Sequence, residues 1–145
     1  MSGSGNPMFG KTSSGGRSVK GRYKGLFFRS LLEYSFMKYL EAEGWDLTRD
    51  VEYEKIRVRV NETMTYCPDF HVPSTKTVYE VKPFKVSLSV TNQLKFEAAQ
   101  RVLGEQGLSF RVMTEKDFDK VSFADALKDP DIVFDERTFK YFKKG

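Results

Sequence analysis

Acidic and basic side chains fall close together near the middle of the chain. Glu80 and Lys82 are separated by one residue in a segment that alternates as a strand does, so both project from the same face. Asp69 belongs to the preceding strand. If a hairpin pairs Val72 with Thr77, Asp69 falls directly opposite Glu80, with Cβ atoms about 4.5–5.5 Å apart. The proximity depends on this register, because a slip of one residue would separate the two carboxylates.

This pattern has a chemical use. Two opposed carboxylates repel one another, and a cation bound between them removes that penalty. Carboxylate oxygens are suitable ligands for Mg²⁺ or Mn²⁺, and such an ion can activate a water and stabilise charge on phosphate oxygens. A lysine on the same face can orient or deprotonate the water. The residue types and spacing therefore favour metal-assisted hydrolysis of a phosphodiester.

Glu33 is a third acidic candidate. Ser30-Leu31-Leu32-Glu33 fits the pattern of a helix capping box. The spacing from Glu33 to Met37 and Leu40 also places it beside the apolar face of that helix. A local cap and a contact with a metal or its bound water both remain open for Glu33.

The elements that must position these residues follow from periodicity and turn signals. A helix is predicted from Ser30 to the glycine at position 44. Strands are predicted over residues 51–60, 64–72 and 77–82, with a turn at Asn61-Glu62 and another at residues 73–76. A second helix covers 91–106, and a strand over 108–113 is expected to lie parallel to 77–82. Residues from 117 onwards suggest short helices. The order predicts an α/β sandwich around a mixed sheet.

The net charge of +4 is unevenly distributed along the chain. Residues 1–25 contain five of the 24 basic residues, no acidic residue and seven of the 11 glycines; 24 minus 5 leaves 19 basic residues against 20 acidic ones in 26–145. The first segment is predicted to be a flexible basic arm, either holding a polyanion or simply solvated. Residues 26–145 are predicted to form one domain.

Several classes of protein are disfavoured by composition. No stretch approaches the roughly 20 apolar residues of a membrane span, and no apolar core of a secretory signal is seen near the N-terminus. Cys67 is the single cysteine, so an internal disulfide is excluded and a cytoplasmic location is expected. Cys67 and His71 supply only half of a tetrahedral zinc site.

The chemistry-bearing residues resemble a known superfamily. Pro68-Asp69 followed by Glu80-Val81-Lys82 matches the PD-(D/E)XK nuclease motif, and Phe28-Arg29-Ser30-Leu31-Leu32-Glu33 resembles the helix that supplies an extra glutamate in several members. The order and spacing are similar to phage Holliday-junction resolvases of the endonuclease I type and to TnsA-like endonucleases. They are also similar to small nucleases among tailed-phage head-completion proteins and to freestanding homing endonucleases. The resemblance covers roughly residues 22–113.

The resemblance implies a restriction-endonuclease-like fold, a mixed β-sheet flanked by helices. It implies a Mg²⁺-dependent (or Mn²⁺-dependent) DNA endonuclease, phage-encoded, that processes branched DNA, a homing site or a genome end in the host cytoplasm. Asp69 and Glu80 would be metal ligands, Glu33 an accessory ligand and Lys82 the catalytic lysine. Some relatives are dimeric, so a homodimer is one state to test.

Further residues are expected to contact DNA. The basic arm would hold phosphates, and residues after the catalytic lysine would touch the backbone. These candidates are Lys11, Arg17, Lys20, Arg22, Lys24, Lys85, Gln93 and Lys95. The alternative is a structural phage head-completion or neck protein that keeps a nuclease fold, resides in the virion and contacts portal proteins.

Overall fold

The computed structural model describes residues 19–136. The described residues divide into two compact units, one formed by residues 19–34 with 121–136 and the other by residues 35–120. In chain order the elements are β1 (Gly21–Tyr23), β2 (Leu26–Phe28), α1 (Leu31–Ala42), β3 (Glu52–Tyr53), β4 (Val58–Asn61), β5 (Met64–Tyr66), β6 (Phe70–Val72), a 3₁₀ turn (Pro73–Thr75), β7 (Thr77–Val81), α2 (Phe84–Ser87), α3 (Val90–Glu105), β8 (Ser109–Met113), α4 (Phe123–Leu127) and β9 (Ile132–Phe134). None of these described helices is long and apolar enough to cross a membrane.

The first unit joins the two ends of the described chain. Its sheet has the order β9-β1-β2, and both pairings are antiparallel. Gly21 lies so close to β9 that an added Cβ would meet the carbonyl oxygen of Val133 at 2.5 Å. Val19 and Tyr23 are buried. The prediction of a flexible arm up to residue 25 is therefore wrong for residues 19–25. Tyr23 packs inward, and β1 is hydrogen-bonded on both sides.

The second unit contains the sheet that the sequence predicts. Its strand order is β3-β6-β7-β8, antiparallel except for the parallel pair β7–β8, with α3 as the connection between those two strands. The sheet is mixed, and the protein has the α/β class expected. The helix predicted at 91–106 is observed one residue earlier at both ends. The strand predicted at 108–113 begins one residue later.

Two predicted strands are each broken into two. The segment 51–60 contains β3 and β4, separated at Glu54, whose φ of 54° lies in the left-handed region. The segment 64–72 contains β5 and β6, separated by residues 67–69. β3 and β6, the parts farther from the turn at residues 62–63, join the main sheet. β4 and β5, which flank that turn, pair as a separate hairpin. The interruption leaves Asp69 directly before β6.

Both faces of the sheet in the second unit are covered. Residues adjacent in a strand point to opposite faces, so Tyr79 and Val78 lie on different sides. On one side, Phe36 of α1 packs its ring 5.1 Å from Tyr79. On the other, α3 and the β4–β5 hairpin form an apolar cluster that includes Val58, Tyr66, Val78, Phe96, Ala99, Leu103 and Phe110. The strand end with Glu80 is thus held between packed layers.

Candidate active site

The two central carboxylates are opposed by the strand register. Phe70 pairs with Tyr79 and Val72 pairs with Thr77. This is the register predicted from the sequence, and one further step along both strands sets Asp69 against Glu80. The 3₁₀ turn after β6 fixes it, because the Lys76 N–H donates to the Pro73 carbonyl at 3.0 Å.

Glu80 is a buried carboxylate, with only 3% of its surface exposed. Its Oε1 accepts a hydrogen bond of 2.6 Å from the hydroxyl of Tyr66, and its Oε2 lies 3.5 Å from Nζ of Lys82. Burial raises the pKa of Glu80, while the Tyr66 hydrogen bond and the charges of Lys82 and Lys95 oppose that rise. The site therefore penalises the charged form unless a cation compensates it.

Asp69 is also buried, with 6% of its surface exposed. Its Oδ2 accepts a hydrogen bond of 2.8 Å from the backbone N–H of Val81. This contact closes the end of the β6–β7 pair beyond its last backbone pairing. Asp69 consequently has a structural role in addition to any chemical one.

Tyr66 belongs to the site and was missed by the sequence reasoning. Its pKa is raised by burial first, then by the charge of Glu80 and its hydrogen bond, and then by the charge of Asp69. Both carboxylates therefore act on the same hydroxyl. A usable signal existed, because a tyrosine in a strand with a buried face needs a polar partner for its hydroxyl.

Two lysines lie beside these acidic groups. Lys82 projects from the strand end with a third of its side chain exposed. Lys95 of α3 places Nζ 5.7 Å from the centroid of the Tyr66 ring, and its charge lowers the pKa of Glu80. Lys95, predicted as a backbone contact, therefore sits at the edge of the site.

The other predicted contacts after the strand differ in their surroundings. Lys85 is exposed on α2. Gln93 is engaged within the protein, since its Nε2 donates to the Ser87 carbonyl at 2.8 Å. That bond ties the start of α3 to the segment before it.

Glu33 lies in the unit formed by the chain ends, whereas Asp69, Glu80 and Lys82 lie in the unit 35–120. It is buried, with 8% exposed. Its N–H donates to Oγ of Ser30 at 3.1 Å, and its Oε1 accepts from the N–H of Arg29 at 2.9 Å. This is a capping box whose return bond reaches one residue earlier than in the usual form. The cap is confirmed, and a role in metal binding stays a prediction.

Only some of the basic candidates near the N-terminus lie in the described part of the chain, which begins at residue 19. Lys11 and Arg17 lie outside the described residues. Lys20 precedes β1 and is half-buried, while Arg22 and Lys24 are exposed. Arg22 stands 5.7 Å from the ring centroid of Phe27. These side chains belong to a folded hairpin.

A divalent ion requires several oxygen or nitrogen donors arranged around it. Within residues 19–136, no group of three or more His, Cys, Asp and Glu side chains is arranged to hold a metal. Cys67 accepts from Arg57 at 2.8 Å, and His71 pairs with Glu52 at 3.0 Å. Two carboxylates remain, Asp69 and Glu80. This fits Mg²⁺, which is commonly held by one or two carboxylates and completed by water and phosphate oxygens.

Comparison of the chain with protein-family models, with curated proteins and with solved structures gave no match.

Proposed function

We propose that the chain is a Mg²⁺-dependent DNA endonuclease of the PD-(D/E)XK type, with a restriction-endonuclease-like arrangement of its mixed sheet. The observation that supports this most directly is the β6–β7 register, whose last pair Phe70–Tyr79 brings the next residues Asp69 and Glu80 together, with the Lys82 ammonium 3.5 Å from Glu80. The resemblance of Pro68-Asp69 and Glu80-Val81-Lys82 to the nuclease motif points the same way.

Each residue has a distinct part in this proposal. Asp69 and Glu80 would hold the ion, and Glu33 would act as an accessory ligand, directly or through water. Bound there, Mg²⁺ supplies a more acidic water and neutralises charge on the phosphate. Lys82 would orient the attacking water and stabilise the developing negative charge. The water gives up a proton to solvent as its oxygen bonds to phosphorus, the bond to the departing sugar oxygen breaks, and that oxygen takes up a proton from solvent.

The electrostatics of Glu80 favour a cation site. Burial raises its pKa, and the bond from Tyr66 together with Lys82 compensates this only in part. A divalent ion stabilises the carboxylate form far more strongly than one partly exposed lysine does. The charge of Asp69 also raises the pKa of Tyr66, and Asp69 would share the ion. Tyr66 would then serve to position Glu80.

Cleavage of DNA tests the proposal. The protein is incubated with supercoiled and branched DNA in Mg²⁺, in Mn²⁺ and in EDTA. We expect metal-dependent cutting that is lost in Asp69→Ala and falls by about 10²-fold or more in Lys82→Ala. Lys120→Ala is the matched control, because it removes an exposed lysine that is not among the candidate site or DNA-contact residues and should retain most activity.

Intact DNA under all these conditions, with the protein folded, would overturn the proposal. Retained binding in that case would favour the structural role in a phage head or neck. The proposed partner is DNA, in the cytoplasm of a host cell. Cutting of both strands would favour a homodimer, since a two-fold axis presents one site to each strand.

A further inference from the structure

A cavity of about 440 Å³ opens beside the end of β7. One wall is the face of α3 that carries Phe96, Glu97 and Gln100, spaced so that they share one side of the helix. Phe84 of α2 and Lys116 form another wall. The volume lies within the range usual for pockets that take small molecules or parts of larger ones.

The cavity adjoins the candidate active site within the unit 35–120. Val112, which lines it, is the register partner of Glu80 in the parallel pair β7–β8. Phe96 packs its ring 6.3 Å from that of Tyr66, whose hydroxyl binds Glu80. Phe84 follows Lys82 after a single intervening proline. A group in the cavity would lie close to a phosphate held at the site.

The walls of the cavity are fixed by hydrogen bonds. The Phe84 N–H donates to Oε1 of Glu115 at 2.9 Å, and Oγ of Ser87 donates to the Phe84 carbonyl at 2.6 Å. Gln93 binds the Ser87 carbonyl. The ammonium of Lys116 lies 3.8 Å from the centroid of the Phe84 ring. These bonds hold Phe84 and the start of α3 in place around the cavity.

The lining selects the chemistry of the occupant. Glu97 and Asp117 place two carboxylates against one ammonium, which disfavours a phosphate in the cavity itself. The partly buried Phe84 ring, with the Lys116 ammonium over it, and the largely buried Phe96 ring supply apolar surface, while Gln100 and Glu97 can accept hydrogen bonds from an amino group. A planar, uncharged group with an exocyclic amine matches this lining better than an anion does. Among the parts of DNA, that description fits a base.

We propose that this cavity receives one base of the DNA strand at the cleavage site, with preference for bases that carry an exocyclic amino group. This inference rests on the proposed nuclease function and deepens it. A base inside a continuous duplex cannot enter such a cavity without leaving the stack. The substrate class is therefore DNA with unpaired nucleotides near the cut, such as a branch, a flap or a single-stranded end.

Metal-free binding tests this inference separately from cleavage. The probe is a short oligothymidylate carrying one 2-aminopurine, titrated with full-length protein in EDTA. Stacking in the cavity should quench the fluorescence of 2-aminopurine. We expect Phe84→Leu to bind about 5-fold or more weakly and to lose the quenching. Phe27→Leu is the matched control, because Phe27 is a partly exposed ring with a cation beside it that does not line the cavity.

The base preference gives a second readout. Glu97→Gln should reduce the preference for adenine-rich or cytosine-rich over thymine-rich single strands, while Glu105→Gln, the same change on α3 outside the cavity, should not. Unchanged binding and quenching in Phe84→Leu, or equal losses in Phe84→Leu and Phe27→Leu, would overturn the proposal. Quenching that depends on Phe84 in a protein that never cuts DNA would support the cavity and reject the nuclease. Metal-dependent cutting, with no effect of Phe84→Leu on binding or quenching, would support the nuclease and reject the base-binding cavity.

Discussion

The hydroxyl of Tyr66 donates a 2.6 Å hydrogen bond to Oε1 of the buried Glu80. The bond joins the end of the β4–β5 hairpin to the central sheet. It satisfies one oxygen of Glu80, while Lys82 approaches the other. The position of this carboxylate therefore depends on a residue in a different strand pair.

Tyr66→Phe should destabilise the protein. The substitution keeps the packed ring but leaves a buried carboxylate oxygen without its donor, at a cost of about 1.5–3 kcal/mol in the free energy of unfolding. Urea unfolding measures the change. Tyr39→Phe, which removes a hydroxyl outside this pair, is the control. Equal stability of Tyr66→Phe and the wild type would contradict the inferred role of the hydrogen bond.

Asp69→Asn and Asp69→Ala should separate chemistry from structure. Asparagine retains an oxygen that can accept from the Val81 N–H, so the fold should persist while cleavage is lost. DNA binding should be unchanged or slightly stronger, because a negative charge near phosphate is removed. Alanine should also cost about 1–3 kcal/mol of stability, since a buried N–H loses its acceptor. Cleavage assays, DNA titrations and thermal melts check these three outcomes. Equal loss of binding and cleavage in Asp69→Asn would make Asp69 structural alone.

The stability of the protein in EDTA should depend on the protonation of Glu80. Burial raises its pKa in the folded state above the ordinary 4.5, so the folded protein holds this proton more tightly than the unfolded chain. Stability from this group is full below pH 4.5 and is lost as the pH rises through the folded pKa. Glu80→Gln should remove that decline, and Mg²⁺ should restore wild-type stability at the higher pH. Urea midpoints across pH measure both effects. Parallel curves for the two proteins would reject the assignment.

Ser30→Ala and Glu33→Gln should distinguish the cap from metal binding. Ser30→Ala removes the acceptor for the Glu33 N–H and should cost about 1 kcal/mol. Glu33→Gln retains an oxygen for the Arg29 N–H, so stability should change little. If Glu33 also assists the metal, cleavage by Glu33→Gln should fall and its Mg²⁺ requirement should rise. Wild-type cleavage by this variant would restrict Glu33 to capping.

Removal of residues 2–18 should weaken DNA binding without disturbing β1, which begins at Gly21. The deletion takes away Lys11 and Arg17. The dependence of log K on log salt should therefore flatten by up to about two phosphate contacts. Titrations at several salt concentrations measure the slope. A slope equal to that of the full-length protein would exclude this segment from DNA binding.

The central hairpin could be predicted because its information is local. Residues 70–72 and 77–80 alternate in burial, and a proline-containing turn of fixed length lies between them. The pairing of Asp69 with Glu80 followed directly. The two long helices were equally accessible, since Ser30 is a cap with a visible signature and the apolar spacing of residues 91–106 marks α3, whereas the short α2 was not predicted.

The features that were missed depend on contacts distant in sequence or on unusual backbone. The break at Glu54 requires a positive φ that no glycine marks. The bond from Tyr66 to Glu80 exists because β5 leaves the main sheet, which periodicity cannot show. β1 was assigned to an arm because its partner β9 lies at the other end of the chain.

The pairing of β1 with β9 also sets an order for folding during synthesis. Gly21 is the register partner of Phe134. β1, although synthesised first, therefore cannot pair with β9 until the ribosome has produced nearly the whole described chain. The unit 35–120 contains all the partners of its own sheet and can assemble while the later residues are still being added. The Asp69–Glu80 pair would then be in place on the nascent polypeptide before the terminal sheet closes.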